Sequence, residues 1–302
     1  LLRFSEERPA IISWNEQGRL RELSYARLRE HVASAAAAPR REGVGVGDRV
    51  VGFMPNLPET VIAMLAATSI GAIWSSCSPD FGVNGVLDRF GQIEPKVLFC
   101  ASSYRYSGKD IDCLSRVRDI VARLPGISRV VIVPYLREDE DLSGIRGAVS
   151  WDDFASPTTH SLSFEQLPFD HPVYIMYSSG TTGLPKCMVH GAGGTLLQHL
   201  KEHVLHCDLR REDRLFYFTT CGWMMWNWLV SGLAVGCAIV LYDGAPLLRR
   251  RPILWDMAQD ERITTKIDVS GYAKQTAASI RCHRLLSIAA SSASIGLTSP
   301  AG

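Results

Sequence analysis

The 302-residue sequence predicts an α/β fold, with parallel sheets flanked by helices. Three observations carry that expectation. Short β-branched runs alternate with amphipathic stretches through the first half, the spacing of strand-helix-strand units. The composition, 46% hydrophobic, 9% aromatic and 21% charged, is that of a folded soluble protein rather than a disordered or collagen-like one. A glycine- and hydroxyl-rich loop follows directly on the apolar strand expected at Val173 to Tyr177, placing it at the edge of a sheet. At this length one large domain or two intimate subdomains are expected.

Taken in order, Ser24 is suited to cap a helix through Leu28, Val32 and the alanines to Ala38, where Pro39 stops it. Gly43, Gly45 and Gly47 turn the chain into a strand from Arg49 to Met54. They precede that strand, whereas a dinucleotide fingerprint needs its glycines after one, so they read as a plain connection. Asn56 and Pro58 open a helix through Val61, Met64, Leu65 and Thr68, and Gly71 leads to a strand from Ala72 to Ser76. The unit repeats as helix Val83 to Ile93, strand Lys96 to Cys100, helix Ile111 to Leu124 and strand Arg129 to Pro134. Tyr135 to His171 reads as an irregular surface connection. After the strand ending at Tyr177, Thr195 and Gln198 form a capping-box pattern for a helix to Leu205. Phe216 to Thr219 and Ala238 to Tyr242 are further strand candidates, and from Thr264 the pattern fades.

Lys plus Arg total 32 against 31 Asp plus Glu, so nothing in the summed charge favours a nucleic-acid partner. The eight cysteines form no C-x-x-C pair and several sit in apolar runs, as expected of free thiols in a reducing cytoplasm. The chain opens on Leu1, with charges following closely, so no signal-peptide core is expected. Gly222 to Tyr242 is uncharged and long enough to span a bilayer, but its glycines, Asn227 and Ser231 favour a buried helix and core strand broken near Gly236, with no membrane span.

The chemistry concentrates in Tyr177-Ser178-Ser179-Gly180-Thr181-Thr182-Gly183-Leu184-Pro185-Lys186. Two glycines let successive backbone N–H groups turn inward, the hydroxyls add donors, and Lys186 adds a mobile positive charge: together a cradle for polyphosphate. The spacing is not that of a Walker A loop, and an ordinary polar turn is the plain alternative. A second pattern, His199, Glu202 and His203, has the H-x-x-E-H spacing of an inverted zinc protease, although a polar helix face explains it as well. A Trp/Met cluster such as Trp223, Met224 and Met225 is the material of a core, but a flat indole can also cap a small apolar cavity.

The ten-residue loop resembles the signature loop of the adenylate-forming superfamily of acyl-CoA synthetases, luciferases and adenylation domains. Narrower matches resemble its acetoacetyl-CoA synthetase branch: SPDFGVNGVLDRF from Ser78 to Phe90, KCMVH from Lys186, GGTLLQHLKEH from Gly193, GWMMWNW from Gly222 and LYDGAP from Leu241. The resemblance covers residue 1 to about residue 262. It implies that Ser178, Ser179, Gly180, Thr181, Thr182, Gly183 and Lys186 grip the β and γ phosphates of ATP. It further implies that Trp223, with Met224 and Met225, walls a short acyl pocket. The substrates it implies are ATP with Mg2+, acetoacetate and CoA, joined in an acid-thiol ligase reaction, with no metal assigned to protein side chains. Residues 1–263 then form an incomplete N-terminal AMP-binding domain, and 264–302 a divergent tail. No adenylation lysine, ribose-binding acidic residue or small C-terminal domain is recognisable, so a catalytically inactive fragment that at most binds nucleotide is the second expectation.

Overall fold

The structure is a computed structural model that describes residues 1–137, 141–156, 161–178, 183–248, 253–267 and 285–286. In chain order the elements are β1 (Pro9–Asn15), β2 (Gly18–Ser24), α1 (Tyr25–Arg41), β3 (Arg49–Phe53), α2 (Pro58–Ser69), β4 (Ile73–Cys77), α3 (Val83–Phe90), β5 (Val97–Ala101), β6 (Ser103–Tyr106), β7 (Lys109–Asp112), α4 (Leu114–Arg123), β8 (Arg129–Val133), β9 (Ala148–Ser150) and α5 (Trp151–Phe154). The second half adds β10 (Pro172–Tyr177), β11 (Cys187–Gly191), α6 (Ala192–Lys201) with a π turn (Glu202–His206), β12 (Arg214–Tyr217), α7 (Met224–Ser231), β13 (Ala238–Asp243), α8 (Ile253–Asp260), β14 (Thr265–Ile267) and β15 (Leu285–Leu286).

Two sheets result. One has seven strands in the order β11-β10-β4-β3-β5-β8-β9, the other six in the order β15-β14-β12-β13-β1-β2, and β6-β7 form a separate hairpin. The pairings are parallel except at β10-β11, β1-β2 and β6-β7. The sheets are therefore mixed rather than purely parallel. Strands β3, β4 and β5 are almost wholly buried because helices cover both faces. Val50, Trp74 and Phe99 face one apolar core, whereas Val51, Phe53 and Leu98 face a second that contains Val86 and Phe90 of α3 and Val117 and Ile120 of α4.

Several boundaries moved for identifiable reasons. Ser24 caps α1 as expected, its Oγ accepting from the Arg27 N–H at 3.1 Å. The helix nevertheless runs past Pro39, and its last turn closes through the Glu42 N–H onto the Ala38 and Pro39 carbonyls. A proline in a final turn removes only one bond of the ladder. The helix expected from Ile111 starts later, because the chain first forms β6-β7. Ser107 (φ 54°) and Gly108 (φ 76°) both adopt the left-handed conformation of a two-residue hairpin turn. The stretch expected to be irregular, Tyr135 to His171, holds β9 and α5, whose Trp151 and Phe154 pack on Phe99.

The expected Thr195 capping box is absent. Helix α6 begins at Ala192, where the Ala192 and Gly193 N–H groups donate to the His171 and Phe169 carbonyls at 2.8 and 2.9 Å. Those carbonyls satisfy first-turn donors that a side-chain cap would otherwise take. Gln198 donates instead to Glu202 at 2.6 Å. The apolar stretch after Gly222 forms the buried α7 and then β13, broken at Gly236 (φ 93°). Among the described residues no helix is long and apolar enough to cross a membrane.

Candidate active site

The loop after Tyr177 joins two antiparallel strands, so it is topologically a long hairpin connection, with β11 at the free edge of the seven-stranded sheet. It leaves from the carboxyl end of β10, which runs parallel to β4. That is the side of an open α/β sheet on which ligands collect. A strand, not a helix, follows the loop.

The loop is closed by a neck of two bonds. The Ser178 N–H donates to the Lys186 carbonyl at 3.0 Å, and the Lys186 N–H donates to the Ser178 hydroxyl at 3.2 Å. Ser178 is half-buried, while Gly183 and Lys186 are exposed. A Cβ at Gly183 would meet nothing within 4 Å, so crowding by the chain itself does not require glycine there. Ser179, Gly180, Thr181 and Thr182 lie outside the described residues. Below the neck, the Tyr177 hydroxyl and the Ser75 hydroxyl are 3.0 Å apart, which ties the loop's root to β4, and burial raises the Tyr177 pKa.

Trp223 precedes α7 and is 61% exposed, so the core reading of this tryptophan does not hold. Met224 is 45% exposed, whereas Met225 packs against the core. The segment is brought to the carboxyl end of β4 by the Ser76 hydroxyl, which donates to the Cys221 carbonyl at 2.7 Å. Met224 lines a cleft of about 530 Å³ together with Val189, His190, Thr195 and His199, among others. Trp223, Met224 and the root of the loop after Tyr177 thus lie on segments anchored to the same strand.

The H-x-x-E-H pattern is spent on structure. His203 is fully buried, with its Nε2 3.0 Å from the Trp228 carbonyl and 2.8 Å from the Ser231 hydroxyl, and its ring lies against Trp228. Burial lowers its pKa to about 4 and also lowers that of His199. Glu202 turns outward to Gln198, and among the described residues no group of three or more His, Cys, Asp or Glu could hold a metal. A zinc-protease centre is therefore not assembled here.

Two buried carboxylates escaped the sequence reading. Glu16 accepts the Ser107 and Gly108 N–H groups at 2.6 Å and the Ala245 N–H at 2.7 Å, fastening the β6-β7 hairpin to the end of β13. Nearby Asp243 is desolvated, which raises its pKa to about 7. Nothing local marks Glu16, whose partners lie 91, 92 and 229 positions away in the chain. The signal was at most the LYDGAP run that contains Asp243.

The fold, with a hairpin loop at the carboxyl end of β10 beside the edge strand β11, defines an α/β protein. Its family is more specific: a model of the AMP-binding enzyme family matches residues 3–278, and the chain belongs to that family. It is 53% identical to the acetoacetyl-CoA synthetase of Rattus norvegicus over 272 residues, which is 87% of this chain and 40% of that protein. The acetoacetyl-coenzyme A synthetase of Rhizobium meliloti (strain 1021) is 53% identical over 264 residues, again 87% of this chain and 40% of the relative. The solved structure of acetoacetyl-CoA synthetase from Streptomyces lividans matches with a TM-score of 0.84 at 43% identity, covering 88% of this chain and 40% of that one. The chain spans about 40% of the length of these relatives.

Proposed function

We propose that this chain carries the ATP-phosphate and acyl subsites of an acid-thiol ligase that activates acetoacetate. In the reaction a carboxylate oxygen of acetoacetate attacks the α-phosphorus of ATP. Pyrophosphate leaves and an acyl-adenylate remains. The CoA thiol then attacks the acyl carbon, AMP departs with the bonding electron pair, and the thiol proton passes to solvent. Adenylation is needed because a free carboxylate is a poor electrophile, whereas a mixed anhydride carries a good leaving group.

The observation that carries this reading is the neck of the loop, which holds Ser178 against Lys186 at the sheet's carboxyl edge and leaves Lys186 exposed. In the proposed complex, loop N–H groups, the hydroxyls of Ser178, Ser179, Thr181 and Thr182, and the Lys186 ammonium receive the β and γ phosphates, with Gly180 and Gly183 keeping the backbone close. Such fixed donors hold the departing pyrophosphate without reorganising. Mg2+ bound with ATP offsets further phosphate charge, and no side chain here is assigned to it. Trp223, Met224 and Met225 bound the acid, and CoA is the second acceptor. The described cysteines are free, all buried but Cys187, as suits a reducing cytoplasm.

Purified protein given ATP, Mg2+, acetoacetate and CoA tests the proposal through thioester absorbance and pyrophosphate release. The 302 residues alone are expected to stay far below about one turnover per second, the low end of ordinary enzymes. Joined to the remaining length of the Rattus norvegicus relative, they are expected to release pyrophosphate in an acetoacetate-dependent way. A joined protein that binds ATP yet releases pyrophosphate equally with and without acid contradicts the acid-activating role.

A further inference from the structure

The run from Ser78 to Phe90 has no part in the subsites described above, yet its residues touch both of them. Phe81 lies against Gly222, where an added Cβ would come within 3.2 Å of its ring, so it abuts the segment that presents Trp223. Over the Phe81 ring sits the Arg89 guanidinium, 4.5 Å from the ring centroid, and the same group lies 5.8 Å from the centroid of Tyr177 at the root of the phosphate loop. Arg89 is held in place by the bond from its Nη1 to the Gly85 carbonyl at 2.7 Å. Three residues on, at the end of α3, the Gln92 side-chain amide donates to the Pro185 carbonyl at 2.8 Å and to the Asp88 carbonyl at 2.5 Å.

Helix α3 and the turn after it therefore meet the loop at both of its described ends, α3 at Tyr177 on entry and Gln92 at Pro185 on exit, each one residue from the neck between Ser178 and Lys186. The helix itself is anchored, because Val86 and Phe90 are fully buried in the second core. A helix seated in the core and the turn after it thus reach the two described ends of a loop that adjoins an edge strand. A flat guanidinium against aromatic faces and a neutral amide on a carbonyl both fix position without placing an anion near the phosphates.

We propose that Arg89 and Gln92 are positioning residues that set the entry and exit of the phosphate loop, so that the Ser178-Lys186 neck is closed before ATP arrives. This rests on the reading of that loop as the triphosphate subsite. Amide hydrogen exchange of the Ser178 N–H reports the neck directly, because exchange follows local opening. Gln92→Met, which keeps the length and removes the donor, and Arg89→Met, which keeps an apolar stem and removes the guanidinium, are each expected to speed Ser178 exchange about tenfold. Amides of β3 and β5 are expected to keep their protection. Calorimetric titration of the same proteins is expected to show ATP affinity reduced several-fold and AMP affinity unchanged. Unaltered Ser178 exchange in both variants overturns the inference, whatever nucleotide does. Faster exchange spread equally over β3 and β5 also overturns it, since that marks a general loosening of the fold. Failure of the unaltered protein to take up ATP instead overturns the reading of the loop, and the inference with it, and is told apart because Ser178 exchange still answers to Gln92 and Arg89.

Discussion

The centre and the edge of the seven-stranded sheet are both apolar in sequence, but they are used differently. In the centre, Phe99 is fully buried among Trp74, Trp151 and Phe154, with ring centroids 6.4, 6.0 and 5.7 Å away. At the edge, Val189 of β11 is 60% exposed. Hydrophobicity is common to both, and coverage by a second layer is what separates them. The loop after Tyr177 adjoins this poorly covered edge, and its two described ends are held by a few directed contacts.

The sharpest break between the regions is expected in stability. Phe99→Ala removes a ring from the aromatic cluster and is expected to cost about 3–5 kcal/mol, by analogy with large-to-small core changes. Val189→Ser is expected to shift stability by no more than about 0.5 kcal/mol, as for an exposed position. Urea unfolding midpoints of the two variants check this, and similar losses in both would mean that the edge is as tightly packed as the centre.

In the helical segment after β11 the inner side is buried, where His203 packs on α7. His203, with its pKa lowered by burial to about 4, takes up a proton more readily when unfolded, where its ordinary value is 6.5. Its contribution is therefore complete above about pH 6.5 and is lost as the pH falls toward 4. At roughly 1.4 kcal/mol per pKa unit the gap corresponds to about 3 kcal/mol. His203→Gln is expected to flatten this part of a stability-pH curve measured by chemical denaturation, and an unchanged slope would place the acid sensitivity elsewhere.

A smaller effect belongs to the exposed rim. In an active protein that includes these residues, Trp223→Gly is expected to shift preference from four- toward six-carbon acids, by about 0.8 kcal/mol for each methylene it newly buries. Competition between the two acids for thioester formation measures it, and an unchanged ranking would remove Trp223 from the acyl pocket.

What could be read from the sequence follows the same division. The strand-helix units of the centre were legible because each is decided locally: the Val50-Val51 run, the Ser24 cap and Pro58 at the first turn of α2 carry their own signals. The loop stands out in the sequence through its glycines, hydroxyls and Lys186, and Trp223 through family resemblance, and the roles of both are what the proposed experiments test. The capping box at Thr195 misled because carbonyls of Phe169 and His171, more than twenty residues upstream of Thr195, supply the helix's first-turn bonds. The β6-β7 hairpin was hidden because a Ser-Gly turn is a weak signal beside an amphipathic helix pattern. Glu16, Asp243 and the grip of Arg89 and Gln92 on the loop depend on contacts between distant segments, which no local pattern records.

The central claim, that the loop from Ser178 to Lys186 receives the outer phosphates of ATP, is tested most directly by titration calorimetry of the unaltered protein and Lys186→Ala with ATP and with AMP. A charge-assisted contact is worth about 1.5–3 kcal/mol. ATP affinity is therefore expected to fall about tenfold to a hundredfold in the variant, with AMP affinity nearly unchanged, because the lost ammonium faces phosphates that AMP lacks. Equal losses for ATP and AMP would contradict the claim.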